Sequence, residues 1–199
     1  IARRSFRVMR HYAFEGKKNL LSAEYGFKLK PGFVKNAAFT DGLNGWSVTG
    51  NVIKDTYRGY GKNSIKLHGS TGAGDDFALF TREKDSYATL SQTATGFEKG
   101  KKYLMYFYVG DYDDVICNRQ RIGALPLKVT LDGAKIQENV HYIGNATKSD
   151  HAYVNIHKII FTAEESKVKL TFDNKDAKAG SMLMLNYICI RPYYGKEEY

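Results

Sequence analysis

From Asn36 onward the chain is a succession of short apolar–polar alternations, each closed by a turn signal, with no long helical period. That rhythm constrains the fold more than any other feature, because a period of two suits strands with one face turned to a core. The alternations predict strands over Trp46–Val52, Ser64–His68, Phe77–Thr81, Ala88–Thr95, Lys102–Val109, Leu125–Leu131, Ala152–Phe161, Lys167–Asp173 and Met182–Arg191. Asp41-Gly42, Asn44-Gly45, Glu98–Gly100, Asp132-Gly133 and Asp173-Asn174 supply turns between them. With 15 tyrosines, 11 phenylalanines, 19 glycines and only 3 prolines, the composition also favours strands and tight turns. The expected fold class is all-β, a two-sheet β-sandwich over residues 36–193 with a short tail at 194–199. A core of that size stands without metal or disulfide staples.

Residues 1–35 are expected to form a basic N-terminal extension or the tail of a preceding domain. Apolar Phe6, Met9 and Ala13 beside Arg3, Arg4, Arg7 and Arg10 predict a short amphipathic helix over 1–16, packed on a neighbouring domain. A break at Pro31-Gly32 sets the boundary. The chain starts without Met or a signal-like region, as expected of a piece of something longer.

The formal charge of +9 invites a nucleic-acid reading, which its distribution opposes. Residues 1–35 hold 9 Lys/Arg and 2 Glu, leaving 21 Lys/Arg against 19 Asp/Glu in the rest. The body is nearly neutral, so no nucleic-acid partner is expected. No apolar run reaches the ~18 residues of a membrane helix, so no span is expected either. Cys117 and Cys189 have no zinc spacing; a single disulfide and two separate thiols both remain open.

Several motifs then occur in a telling order. Asn36-x-x-Phe39 leads to Gly42-Leu43-x-Gly45-Trp46 and Gly59-x-Gly61-x-x-Ser64-x-x-Leu67. Leu90-x-Gln92, Gly96-Phe97-x-x-Gly100-Lys101-x-Tyr103, Val168-x-Leu170-x-Phe172-x-Asn174 and Met184-Leu185-Asn186-Tyr187-Ile188-x-Ile190 follow. This series resembles the galactose-binding-like jelly roll of the carbohydrate-binding modules that accompany xylanases and cellulases. The resemblance implies a jelly-roll sandwich, an extracellular or cell-surface setting, and a polysaccharide or oligosaccharide partner. Trp46 reads independently as a core plug.

Such modules bind sugars with aromatic rings on a sheet face or at loop tips, helped by a few polar groups. Opposite the core face of the Tyr103 strand lie Leu104, Tyr106 and Tyr108, and Tyr108 falls where related modules place a sugar-contacting ring. Gln92, on what reads as the neighbouring strand, with Lys128 and Thr130, completes the expected ligand-binding set. Tyr57, Tyr60 and Tyr112 form a second candidate site on loops, and Tyr153, Asn155 and His157 a strand-face stripe.

The family often holds a structural calcium ion, but here Thr40 stands where an acid is usual and Asn186-Tyr187 replaces the usual acidic pair. Losing two carboxylates weakens any such site, so no metal or other cofactor is expected. No catalytic signature occurs: there is no GxSxG, HExxH or phosphate-binding loop. The sequence thus reads as a non-catalytic module that targets an attached protein or enzyme to polysaccharide, with a neighbouring domain or subunit contacted through residues 1–35. The alternative is a structural or assembly sandwich that buttresses a larger protein or surface layer.

Overall fold

A computed structural model describes residues 32–58, 75–117, 119, 124–143 and 154–195. Nearly all of these belong to Phe33–Tyr199, the second of two units into which the chain divides. The expected helix over 1–16, the strand Ser64–His68, Tyr60 and Tyr153 lie outside the described residues.

Among the described residues, ten strands form two antiparallel sheets. The strands are β1 (Ser47–Thr49), β2 (Val52–Thr56), β3 (Asp76–Thr81), β4 (Thr89–Thr95), β5 (Lys102–Asp111), β6 (Lys128–Asp132), β7 (Ala134–Ile143), β8 (Val154–Ala163), β9 (Lys167–Asp173) and β10 (Met182–Pro192), with a one-turn helix α1 (Tyr112–Ile116) after β5. One sheet has the order β1-β4-β9-β6 and the other β2-β3-β10-β5-β8-β7. The expected Trp46–Val52 strand is two strands, because the chain turns at Gly50-Asn51 and passes from one sheet to the other. A second corner lies at Gly133, between β6 and β7. Its φ is +89°, and a Cβ there would lie 2.7 Å from the Lys167 carbonyl oxygen, so only glycine fits.

The core between the sheets takes Phe107, Phe161, Met105, Leu185 and Ile190 from one side and Leu90, Leu170 and Phe172 from the other. Trp46 plugs it as expected, its ring 5.6 Å from Phe39 and its Nε1 donating to the Asn36 carbonyl at 3.3 Å. The sandwich begins before residue 36. Phe33 stacks on Phe97 at 4.6 Å and meets Tyr103 edge-on, so residues 33–35 are part of the domain.

The two sheets differ in what they turn outward. Strands β4 and β9 alternate buried and accessible positions, leaving a Ser/Thr/Lys face to water. Strands β3, β5, β8 and β10 are buried on both faces over most of their length. The six-stranded sheet therefore carries a second apolar layer on its outer side.

Candidate functional site

The outer layer is built on Phe77 and Leu79 of β3, Tyr108 of β5, Val154 and Ile156 of β8 and Met184 of β10, with Val115 of α1. Against it pack partly buried Tyr57, Tyr106, Tyr112 and Tyr187. Alternation along β5 turns Tyr103, Met105, Phe107 and Val109 inward and sends Leu104, Tyr106 and Tyr108 out, as the sequence implies. Helix α1 follows β5 directly. Asp111 caps it by accepting from the Asp114 backbone N–H at 3.0 Å, which seats Val115 and Tyr112 beside Phe77.

Tyr187 reaches this face through a β-bulge. In β10, Asn186 pairs with Tyr108 and Cys189 with Tyr106, so one extra residue is inserted between them. Tyr187 takes φ +52°, a left-handed conformation that costs a non-glycine residue about 1–2 kcal/mol. The bulge sets its ring edge-on to Tyr108 at 5.9 Å and returns Ile188 and Ile190 to the core. Strict alternation would have buried Tyr187 beside Leu185. The three-residue step from Leu185 to Ile188, among apolar positions otherwise two apart, was the sequence sign of the bulge.

The expected ligand set does not converge. Tyr106 and Tyr108 are on the outer face of the six-stranded sheet, whereas Gln92 (β4), Lys128 and Thr130 (β6) belong to the four-stranded sheet. Tyr108 is only 3% exposed and forms the floor of the layer, not a contact surface. Gln92 points inward: its Oε1 accepts from the Lys35 backbone N–H at 2.7 Å, and its Nε2 donates to the Lys35 and Gly45 carbonyls at 3.1 and 2.9 Å. It holds two loops to the sheet. Lys128 is ion-paired with Asp176; their hydrogen bond raises the Lys128 pKa and lowers that of Asp176. Thr130 faces water opposite Thr171.

The loop-borne candidates fare differently. Tyr57 and Tyr112 join Tyr106 on one surface, so two expected sites merge and Tyr187 is added. The Asn155–His157 stripe faces inward instead: Asn155 is fully buried and accepts from the Leu125 N–H at 2.6 Å, while His157 stacks on Phe107 at 4.5 Å. The outer side of β8 is taken by Val154 and Ile156, which forces the stripe to the other face. Cys117 is exposed and Cys189 half-buried, and no disulfide joins them.

The opening loop does not fit a calcium ion. The carbonyls of Asp41, Gly42 and Asn44, the oxygens best placed to surround a cation, all accept from the Asn36 Nδ2 at 3.2, 3.0 and 3.1 Å. An N–H donor stands among them and Thr40 is exposed; the loop does meet β10, where Ile188 N–H donates to the Ala37 carbonyl at 3.1 Å, but Asn186 there offers an amide in place of a carboxylate. Among the described residues no group of three or more His, Cys, Asp or Glu is placed to hold a metal, and no helix is long and apolar enough to cross a membrane.

No protein-family profile matches the chain, and no curated protein sequence matches it. Solved structures do. The enzymatically active domain of tailspike protein 4 from bacteriophage CBA120 is similar with a TM-score of 0.51 at 11% identity, over 81% of this chain. The chain spans only 21% of that tailspike chain. The module TmCBM61, solved in complex with β-1,4-galactotriose, is similar with a TM-score of 0.51 at 14% identity, over 82% of this chain and 100% of the module. At such identities the likeness establishes the fold. The chain is a two-sheet jelly-roll sandwich of the kind found in carbohydrate-binding modules.

Proposed function

We propose that the protein is a non-catalytic carbohydrate-binding module and that the outer face of its six-stranded sheet receives the sugar chain. The observation that carries this reading is the gathering of Tyr57, Tyr106, Tyr112 and Tyr187 on one face, over a floor of Phe77, Tyr108 and Met184. Half-buried rings on a rigid sheet offer flat apolar area, at little entropy cost, to the C–H faces of sugars, and their hydroxyls reach sugar oxygens. The strained bulge at Tyr187 supports the same reading, because strain of this kind gathers at ligand-contacting positions. In this reading residues 1–32 connect the sandwich to a neighbouring domain or subunit. Weak sugar binding outside the cell then raises the local concentration of the attached protein at a polysaccharide.

The test is binding of the whole chain to a panel of soluble and insoluble polysaccharides, beside Tyr106→Ala and Tyr187→Gly. Glycine suits the left-handed conformation at 187, so that variant removes the ring and leaves the bulge unstrained. Each is expected to weaken binding by about 5–10-fold, or ~1–1.4 kcal/mol, while the melting transition stays cooperative. Binding that survives both variants overturns the assignment of the face. Lost assembly or stability, with no sugar bound by the parent chain, favours the buttressing role.

A further inference from the structure

The outer face changes character along β5. At its Gly110 end it is apolar and flanked by α1; toward Lys102 it becomes cationic. Tyr106 is in register with Lys158 of β8, and Leu104 with Arg191 of β10 and Ile160 of β8. Lys102 is in register with Thr162, which pairs in turn with Lys135 of β7. Alternation therefore puts Lys102, Lys135, Lys158 and Arg191 on the face that carries Tyr106. Glu138, opposite Ile160, is the one acid among the described residues on that stretch. This concentration of cations stands out against a body whose 21 basic and 19 acidic residues nearly cancel.

Arg191 is the most specific element. Diagonal to Tyr106, it sets its guanidinium 5.8 Å from the centre of that ring while remaining exposed. An arginine stacked on a tyrosine is pre-organised, and its planar fork of N–H groups matches a carboxylate in bidentate fashion.

We propose that this end of the face selects an acidic polysaccharide, a chain containing uronic acid, whose carboxylate is bound by Arg191 with Lys102 alongside. The inference rests on the reading of the tyrosine face as a sugar surface and adds the chemical class of the sugar. A nucleic-acid backbone is the weaker match, because the cations adjoin a tyrosine-lined apolar surface and form no long track for successive phosphates.

The experiment measures binding of the whole chain to polygalacturonate and to its methyl-esterified form, which differ only at the carboxyl group, a charged carboxylate in one and a neutral methyl ester in the other. A neutral galactan, a sulfated polysaccharide and single-stranded DNA complete the set, and Arg191→Gln, Arg191→Lys and Tyr187→Gly are run beside the parent, with folding checked by melting. The free acid is expected to bind about fivefold tighter than the ester, the size of one exposed ion pair. That preference is expected to fade by about 0.5 M salt, where charges are screened within a few ångströms. Arg191→Gln is expected to erase the preference while leaving affinity for the ester, and Arg191→Lys to restore only part of it. Equal affinity for acid and ester, or a preference that Arg191→Gln leaves intact, overturns the inference. So does equally tight binding of DNA or the sulfated chain. Neutral-galactan binding that Tyr187→Gly abolishes, without an acid preference, overturns this inference and spares the sugar surface; no binding to any glycan overturns both.

Discussion

Replacing Gln92 separates a structural role from a ligand contact. Its side chain makes three hydrogen bonds, to Lys35 N, Lys35 O and Gly45 O, at 2.7, 3.1 and 2.9 Å, and it is 7% exposed. Each such bond contributes about 1 kcal/mol net, and burial makes an abandoned partner costly. The Lys35 and Gly45 loops border water, which recovers part of the loss, so Gln92→Ala is expected to cost about 2–3 kcal/mol. For a domain of this size that lowers the melting midpoint by ~5–10 °C. In a urea titration the midpoint is expected to fall with the slope unchanged. Gln92→Glu, nearly the same in shape, is expected to cost at least as much, because it sets a carboxylate against two carbonyl oxygens in place of a donor. Glycan affinity is expected to hold in both variants at temperatures where they remain folded. A stability change under ~0.5 kcal/mol, within the range of an ordinary surface substitution, would refute the reasoning. So would lost sugar binding at unchanged stability.

Asn36→Ala, which removes an amide shared among three carbonyls, is expected to destabilise by about 2–4 kcal/mol, read as a lower urea midpoint; chelator or added calcium is expected to leave the parent's midpoint unmoved. Gly133→Ala is expected to cost more than ~2 kcal/mol in the same titration, since the added Cβ meets the Lys167 carbonyl and the left-handed backbone is strained. Asp76 accepts from Lys54 and Thr56 at 2.8 and 2.6 Å, and these bonds hold its pKa below the ordinary 3.8. A carboxylate so depressed contributes stability above its unfolded value and loses it as pH falls through the folded one. Asp76→Asn is therefore expected to flatten the acid limb of the stability–pH curve, less so in high salt.

The strands with clean alternation were legible in the sequence: β3, β4, β5, β8, β9 and β10 all fall within two residues of their expected bounds or extend them slightly. Strand β7 was not. Its sequence, AKIQENVHYI, shows no apolar period because it is an edge strand, bulged between Ile136 and Glu138, with every side chain from Lys135 to Val140 exposed. Local pattern reports burial, and an edge has little to report.

The site was half legible. Alternation put Tyr106 and Tyr108 on the outer face of their sheet, where the structure has them, but it gives no depth: Tyr108, expected as a contact, is buried. Gln92, Lys128 and Thr130 do not join Tyr106 for another reason: strands consecutive in sequence are commonly neighbours, whereas β4 and β6 lie in the sheet opposite β5. Which sheet a strand joins is decided by corners such as Gly50-Asn51 and Gly133, not by the strand's own residues.

The most direct test of the tyrosine face is a residue-resolved titration of the whole chain with the tightest-binding oligosaccharide, followed by NMR of the tyrosine rings and backbone amides. Shifts confined to Tyr57, Tyr106, Tyr112, Tyr187 and their neighbours on β5 and β10 are the expected result. Shifts centred on Thr93, Thr130 and Thr171, on the outer face of the four-stranded sheet, would contradict it.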